Sequence, residues 1–352
     1  MKLKSPDLIG QGFFYVPSNG YFHIMFRTPI GVKENEKKID LADQTLCIGS
    51  CFADMVSHKL KDHKFKVTAN PFGIIFNPRS IFKLLAAAIE KHSPAPDTYV
   101  KSQDVFYNYD LHSDFADLDK KVLKHKVEKV FQEVTTDLSA AKWLILTFGT
   151  AVIYQRKDNG ETVANCHKIP SDHFTKKLLT LAEIRLEFSQ LMAQLKSFNP
   201  GINIIITVSP VRHIKEGLEL NAASKSLLRV ACHDLAEHFP QVTYFPGYEI
   251  MMDDLRDYRF YERDMIHPSA EAEDYIWEVF SQTYFSSRVR GFIETWQKIK
   301  KSLSHKPFQP QSKNYQNFLK KLLAQLHAIA DTVNVDVEIE EVTQRLKTID
   351  CQ

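Results

Sequence analysis

The sequence predicts an α/β fold: three α/β/α layers around a mostly parallel central sheet, with a helical C-terminal extension. Three observations carry this expectation. Leu46-Cys47-Ile48, Trp143-Leu144-Ile145-Leu146-Thr147-Phe148 and the run from Ile202 to Val208 are nearly continuous apolar stretches, the pattern of parallel strands covered on both faces. Stretches of helical apolar spacing, long enough for right-handed crossovers, separate them. Each run closes on a glycine or a Ser-Pro step, at Gly49-Ser50, Gly149-Thr150 and Ser209-Pro210.

The elements follow in order. Residues 1–24 are rich in Gly, Pro and aromatics without period and read as an irregular leader, with Met25 opening a more structured run. The charged segment Lys33 to Lys38 is a loop before the first strand at Leu46–Ile48. Met55, Val56, Leu60 and Phe65 keep a helical spacing from Asp54 to about Lys64. Two Asn-Pro steps and Gly73 shape a turn-rich, apolar-centred loop from Asn70 to Ser80, which is expected to pack over the site beside Ser50. A helix runs from about Ser80 to Lys91 and a long amphipathic helix or helix pair from Asp117 to Ala141. After the strand at 143–148, Asp158-Asn159-Gly160 signals a hairpin between 152–155 and 162–164. Helices follow at Leu181–Phe198, Asn221–Phe239 and about Ala270–Phe285, with a short strand at Val242–Phe245. Residues 288–352 read as helical, including Tyr315 to Ala330, apart from a strand-like alternation at Val333–Ile339.

Composition narrows the function classes. The chain has 352 residues, 44% hydrophobic and 25% charged, which suits an ordinary globular protein. A net charge of +2 without a basic block argues against a nucleic-acid surface. Five cysteines, Cys47, Cys51, Cys166, Cys232 and Cys351, are an odd number without paired spacing. They read as reduced thiols in a cytoplasmic protein. No run approaches the roughly 18 apolar residues of a membrane span, and no signal core opens the chain.

In this architecture functional groups gather outside the carboxyl ends of the strands. Ser50 stands where a strand turns into a helix, close to that helix's N-terminal amides. Taken alone it reads as a helix cap. Asp264 and His267, three residues apart and followed by Pro268, precede the last helix of the sheet domain. A serine hydroxyl is a weak nucleophile until a base takes its proton, and a histidine oriented by a carboxylate is such a base. Ser50, His267 and Asp264 are therefore the candidate catalytic set, with no metal and no cofactor required.

Other residues invite roles. His213, beside Arg212, reads equally as a substrate contact and as a hydrogen-bonded loop residue. Cys51 follows Ser50 and is expected to point inward as a small core residue. Cys166-His167 lacks a second pair at metal-ligand spacing. Tyr258, Phe260 and Tyr261 are expected to pack, with pocket lining as the alternative.

Gly49-Ser50-Cys51-Phe52-Ala53 carries the signature of the GSCFA family, which this chain resembles. Asn70-Pro71-Phe72-Gly73, Asn165-Cys166-His167-Lys168, Val208-Ser209-Pro210-Val211-Arg212-His213 and Asp264-x-x-His267-Pro268 extend the resemblance over residues 25–285. That family looks like a branch of the SGNH/GDSL hydrolase superfamily. The resemblance implies a catalytic domain at 25–287, a parallel sheet of about five strands, Ser50 as nucleophile, His267 as base and Asp264 as its partner. It implies a serine esterase acting on an acyl ester of a carbohydrate or lipid; an O-acyltransferase would use the same residues. Where SGNH enzymes carry Gly-x-Asn, whose asparagine helps hold the oxyanion, this chain has Gly149-Thr150-Ala151. The backbone amides of Ser50, Gly73 and Gly149 and the side chains of Asn70 and Asn165 are the candidates to replace it. A non-catalytic binding protein that retains the pocket is the rival reading.

Overall fold

The computed structural model describes residues 27–350, so the irregular leader, Met25 and Cys351 lie outside the described residues. The strands are β1 (Thr45–Gly49), β2 (Val67–Ala69), β3 (Tyr99–Ser102), β4 (Val105–Asn108), β5 (Ala116–Asp117), β6 (Trp143–Phe148), β7 (Val152–Arg156), β8 (Thr162–Val163), β9 (Phe174–Leu178), β10 (Asn203–Val208) and β11 (Val242–Tyr244). The helices are α1 (Cys51–Asp62), α2 (Pro78–Ile89), α3 (Lys120–Ala140), α4 (Leu181–Phe198), α5 (Leu218–His238), the short α6 (Gly247–Glu249), α7 (Ala270–Tyr284), α8 (Ser287–Leu303), α9 (Lys313–Ile329) and α10 (Asp336–Asp350).

Five strands form one parallel sheet in the order β11-β10-β6-β1-β2. The strand residues alternate between two cores, as a two-sided sheet requires. Leu46, Ile48, Leu144, Leu146, Phe148, Ile204, Ile206 and Val208 face α2, α3, α4 and α5. Cys47, Trp143, Ile145 and Ile205 face α1, α7 and the C-terminal helices. That is the three-layer fold the apolar runs predict. Neither face of β1, β6 or β10 meets water, so these strands carry no polar alternation. Two small antiparallel sheets, β3-β4-β5 and β8-β7-β9, sit apart from the central one.

The chain crosses from one half of the sheet to the other between β1 and β6, which are neighbours. Strand ends diverge there and leave a crevice. Gly49 and Phe148 close the two strands at this edge. Gly49 adopts φ +150, and a β-carbon on it would lie 2.2 Å from the Thr147 carbonyl oxygen. Only glycine lets β1 approach β6 this closely and still turn into α1.

The C-terminal helices do not stand alone. Leu319, Leu322, Leu326, Val335 and Val342 share one buried cluster with Phe52 of α1 and Ile276 of α7. Trp296 Nε1 donates to the Asp62 carbonyl (2.7 Å), and Lys64 pairs with Glu338 (2.6 Å), tying α8 and α10 to the end of α1. The strand expected at Val333–Ile339 is corrected to the approach and first turn of α10. Alternating Val333, Val335 and Ile339 suggest a strand. Yet Asn334 accepts the Asp336 N–H, and Val335, Ile339 and Val342 fall on one helical face against the core. Burial of that face decides the outcome.

Candidate active site

Ser50 is the N-cap of α1, with extended backbone, and its hydroxyl accepts the Phe52 N–H at 3.3 Å. It is 1% exposed. The cap reading is therefore correct as local structure. What matters for chemistry is what surrounds it.

Asp264 and His267 form the hydrogen-bonded pair that their spacing suggests. Asp264 Oδ2 lies 2.7 Å from His267 Nδ1, while its Oδ1 accepts the backbone N–H groups of Ile266 (2.8 Å) and His267 (3.0 Å). The His267 ring and these two amides hold the Asp264 carboxyl at about 2, well below the ordinary carboxylate range. Both side chains are a little under half exposed, which leaves His267 Nε2 as the ring atom not used by Asp264. Met265, between them, takes φ +58, an uncommon conformation for a non-glycine residue. The loop is braced from β10. The Arg212 amide donates to Ile266 O (3.3 Å), its guanidinium donates to Met265 O (3.0 Å) and lies 4.1 Å over the Tyr261 ring, and Tyr261 bridges to Pro268. Arg212 thus serves the loop that carries His267.

A cavity of about 370 Å³ lies between the start of α1 and His267, lined by Cys51, Phe52 and Asp54 on one side and by Val211, His267 and Pro268 on the other, with Ser50 buried behind its wall. Among the described residues no hydrogen bond connects the Ser50 hydroxyl with His267. Cys51 is half-buried and lines this cavity, a correction to the inward core position expected for it. Burial pushes its thiol pKa up, which keeps it protonated. A second cavity, about 520 Å³, adjoins Arg212 and is lined by Tyr248, Tyr258 and Tyr261. Tyr261 is buried as expected, whereas Tyr258 is exposed, a correction to its expected packing; both line this cavity, and Phe260 faces a hollow with Arg27.

The groups nominated for an oxyanion hole are largely engaged elsewhere. The Ser50 N–H donates to Thr147 O (3.2 Å), Gly73 N–H to Asn70 O (2.7 Å) and Gly149 N–H to Phe76 O (2.7 Å). Asn70 is a clamp: its Oδ1 accepts the Gly49 N–H (2.8 Å) and its Nδ2 donates to Asp54 Oδ1 (2.6 Å). Asn165 donates to Ser113 and accepts from the His167 N–H, within the hairpin region. All five groups are engaged in hydrogen bonds within the protein. The loop from Asn70 to Asn77 does pack over the strand ends, because Ile75 N–H donates to Gly49 O and Phe76 O accepts from Gly149 and Thr150. Saturating these backbone groups fixes the loop and consumes the donors.

His213 lies where sequence alone does not place it. A β-carbon on Gly149 would stand 3.0 Å from His213 Nε2 and 3.2 Å from Ser50 Cβ. Its ring meets Phe76 edge-on at 4.9 Å. Burial, reinforced by the Lys225 charge, lowers the His213 pKa to about 4. Lys225 is itself buried, with Nζ 2.6 Å from Ser209 O, and burial brings it down to about 7.

His167 is a structural residue. Its Nε2 lies 2.7 Å from Asn108 O, its ring stacks on Tyr107 at 4.7 Å, and burial lowers its pKa to about 4. Among the described residues no group of three His, Cys, Asp or Glu side chains is placed to hold a metal ion, and no helix is long and apolar enough to cross a membrane.

The two depressed histidines predict how stability varies with pH. Each binds a proton more readily unfolded, near the ordinary 6.5, than folded, near 4. Stability is therefore complete above about pH 6.5 and declines as pH falls toward 4. By about pH 5 the loss is on the order of 2 kcal/mol for each histidine. Urea midpoints measured at neutral pH and near pH 5 check this. Equal midpoints would contradict neutral burial of both rings.

The GSCFA family matches residues 44–280, which include Ser50, His213, Asp264 and His267. A second match, to the GSCFA domain protein, C-terminal domain, covers residues 296–348, the span of the end of α8, all of α9 and most of α10. No curated protein and no solved structure matches the chain. With 237 of its 352 residues in the first match, the chain belongs to the GSCFA family.

Proposed function

We propose that this chain is a serine hydrolase of the SGNH type, an esterase that cleaves an acyl ester of a carbohydrate or other small molecule. The observation that carries the reading is the Asp264–His267 pair facing, across one cavity, the start of the helix that Ser50 caps. Asp264 fixes the Nδ1–H tautomer, so Nε2 is the basic atom. Ser50 Oγ attacks the ester carbonyl, and its proton passes to His267 Nε2. His267 returns that proton to the leaving alcohol, and water then releases the acyl group from Ser50 by the reverse transfers. To attack, Ser50 must turn its hydroxyl away from the Phe52 N–H, a rotation about one bond at a cost near that of a cap, about 1 kcal/mol.

The substrate class rests on one feature and the setting on another. The cavity beside Arg212 offers tyrosine rings and a guanidinium, groups that suit a sugar or a polar acyl alcohol. Four free cysteines among the described residues suit a reducing, cytoplasmic setting. Pure protein assayed with short-chain aryl esters and acetylated sugars is expected to release acid. Absence of turnover on every such ester by folded protein would sink the esterase reading.

The non-catalytic alternative has its own observation, since Ser50 is almost fully covered and its hydroxyl is committed to the cap. The assay separates the two. An O-acyltransferase would show itself as acyl transfer to an added sugar in preference to water.

A further inference from the structure

The nucleophile assigned to Ser50 creates a need for donors beside the amides at the start of α1. Attack on a carbonyl moves the π electron pair onto its oxygen, and a buried oxyanion requires a donor aimed at it. The backbone N–H groups of Ser50, Gly73 and Gly149 already donate to carbonyl oxygens. Among the described residues, His213 Nε2, Thr147 Oγ1 and Thr207 Oγ1 are buried polar atoms near these strand ends that make no hydrogen bond, and His213 Nε2 is the one that adjoins Gly149 beside Ser50. A buried polar atom left unpaired is costly, so a role is indicated where such an atom faces a nucleophile.

We propose that His213 is a catalytic residue whose Nε2–H holds the oxyanion formed when Ser50 attacks. This rests on the reading of Ser50 as the nucleophile. Three features favour it. A β-carbon on Gly149 would stand 3.2 Å from Ser50 Cβ and 3.0 Å from His213 Nε2, closer than ordinary contact, so glycine lets Ser50 and His213 pack on either side of this position. The ring meets Phe76 edge-on, and the main chain that carries it is fixed by the His213 N–H, which donates to Asn221 Oδ1 at 2.9 Å. The segment leading to it is anchored by buried Lys225 on the Ser209 carbonyl. A donor fixed in place before reaction needs no rearrangement as charge develops.

His213 suits a donor better than a base. No carboxylate hydrogen-bonds to its ring, and the buried setting beside Lys225 keeps it neutral. A neutral imidazole can carry one proton on Nε2 and donate it without ionising. His267, with its own carboxylate, is the base. The division of labour balances: the Oγ–C bond forms, the proton goes from Oγ to His267, and the carbonyl π pair rests on oxygen against His213. Collapse returns that pair to the carbonyl and expels the alcohol, which takes the proton from His267.

A fluorophosphonate probe reads this step directly. Ser50 Oγ bonds to phosphorus, fluoride leaves, and the phosphoryl oxygen takes the oxyanion position. Labelling rates of the parent, His213→Leu and His213→Gln are compared, with folding followed by circular dichroism. Gln places an amide N–H near the Nε2 position; Leu fills the space without a donor. His213→Leu is expected to label about 100- to 1000-fold more slowly, with His213→Gln recovering at least about tenfold of that loss. A folded Leu variant within about threefold of the parent overturns the assignment, as does a folded Gln variant no faster than Leu. A parent protein that takes no label at Ser50 overturns the nucleophile reading itself, and this assignment falls with it.

Discussion

Ser50→Ala is expected to lower ester turnover by about ten-thousandfold or more while leaving the protein folded. The two halves of this result have separate physical causes. In the proposed mechanism the alanine removes the atom that forms the acyl bond, so the covalent route is gone. It also removes an N-cap that accepts the Phe52 N–H, which costs about 1 kcal/mol of stability. Such a loss lowers the melting temperature by a few degrees in a chain this long and cannot account for lost turnover. Buried neighbours on β1 and β6 hold the turn in place. Activity followed at a temperature well below the melting transition separates the effects. A variant retaining a tenth of parental turnover would show that Ser50 is only a cap.

His267→Ala is expected to lose nearly as much, and the double variant Ser50→Ala/His267→Ala no more than either alone. Groups that act as one unit are not additive: once the hydroxyl is absent, a base has nothing to activate. Stability should change little, because His267 is nearly half exposed and Asp264 still accepts the Ile266 N–H and the backbone N–H of residue 267. Losses that multiply in the double variant would mean that the two residues act independently, and would contradict a shared proton transfer. Steady-state turnover of the three variants on one aryl ester makes the comparison.

Much of this arrangement is legible in the residues. Strands β1, β6 and β10 announce themselves as apolar runs because both faces are covered. The Asp264–His267 pair is readable because its spacing places both side chains in one loop turn. Strand β2 escapes because Val67, Thr68 and Ala69 form a three-residue edge strand, only half-buried, without an apolar run. The small sheet of β3, β4 and β5 escapes for the same reason, since its strands are short and mostly half-buried.

His213 is the instructive case. Its position after β10 is plain, but its nearness to Ser50 depends on sheet order. Only because β10 lies beside β6, and β6 beside β1, does the residue after one strand face the residue after another two strands away. No local pattern encodes that adjacency. The hydrogen bonding of the oxyanion candidates is illegible in the sequence for a related reason. Asn70 and Asn165 have the right chemistry, and hydrogen bonding to Gly49, Asp54, Ser113 and His167 takes them for structure. Where a polar side chain spends its hydrogen bonds is a tertiary property.

The central claim is that Ser50 is a nucleophile activated by His267. Its most direct measurement is mass spectrometry of the full-length protein after exposure to a fluorophosphonate, with the modified peptide sequenced. One phosphonyl group on Ser50 of the parent, absent from Ser50→Ala and strongly slowed in His267→Ala, is the predicted result. Folded parent protein that carries no adduct, or an adduct on another residue that persists in Ser50→Ala, would contradict it.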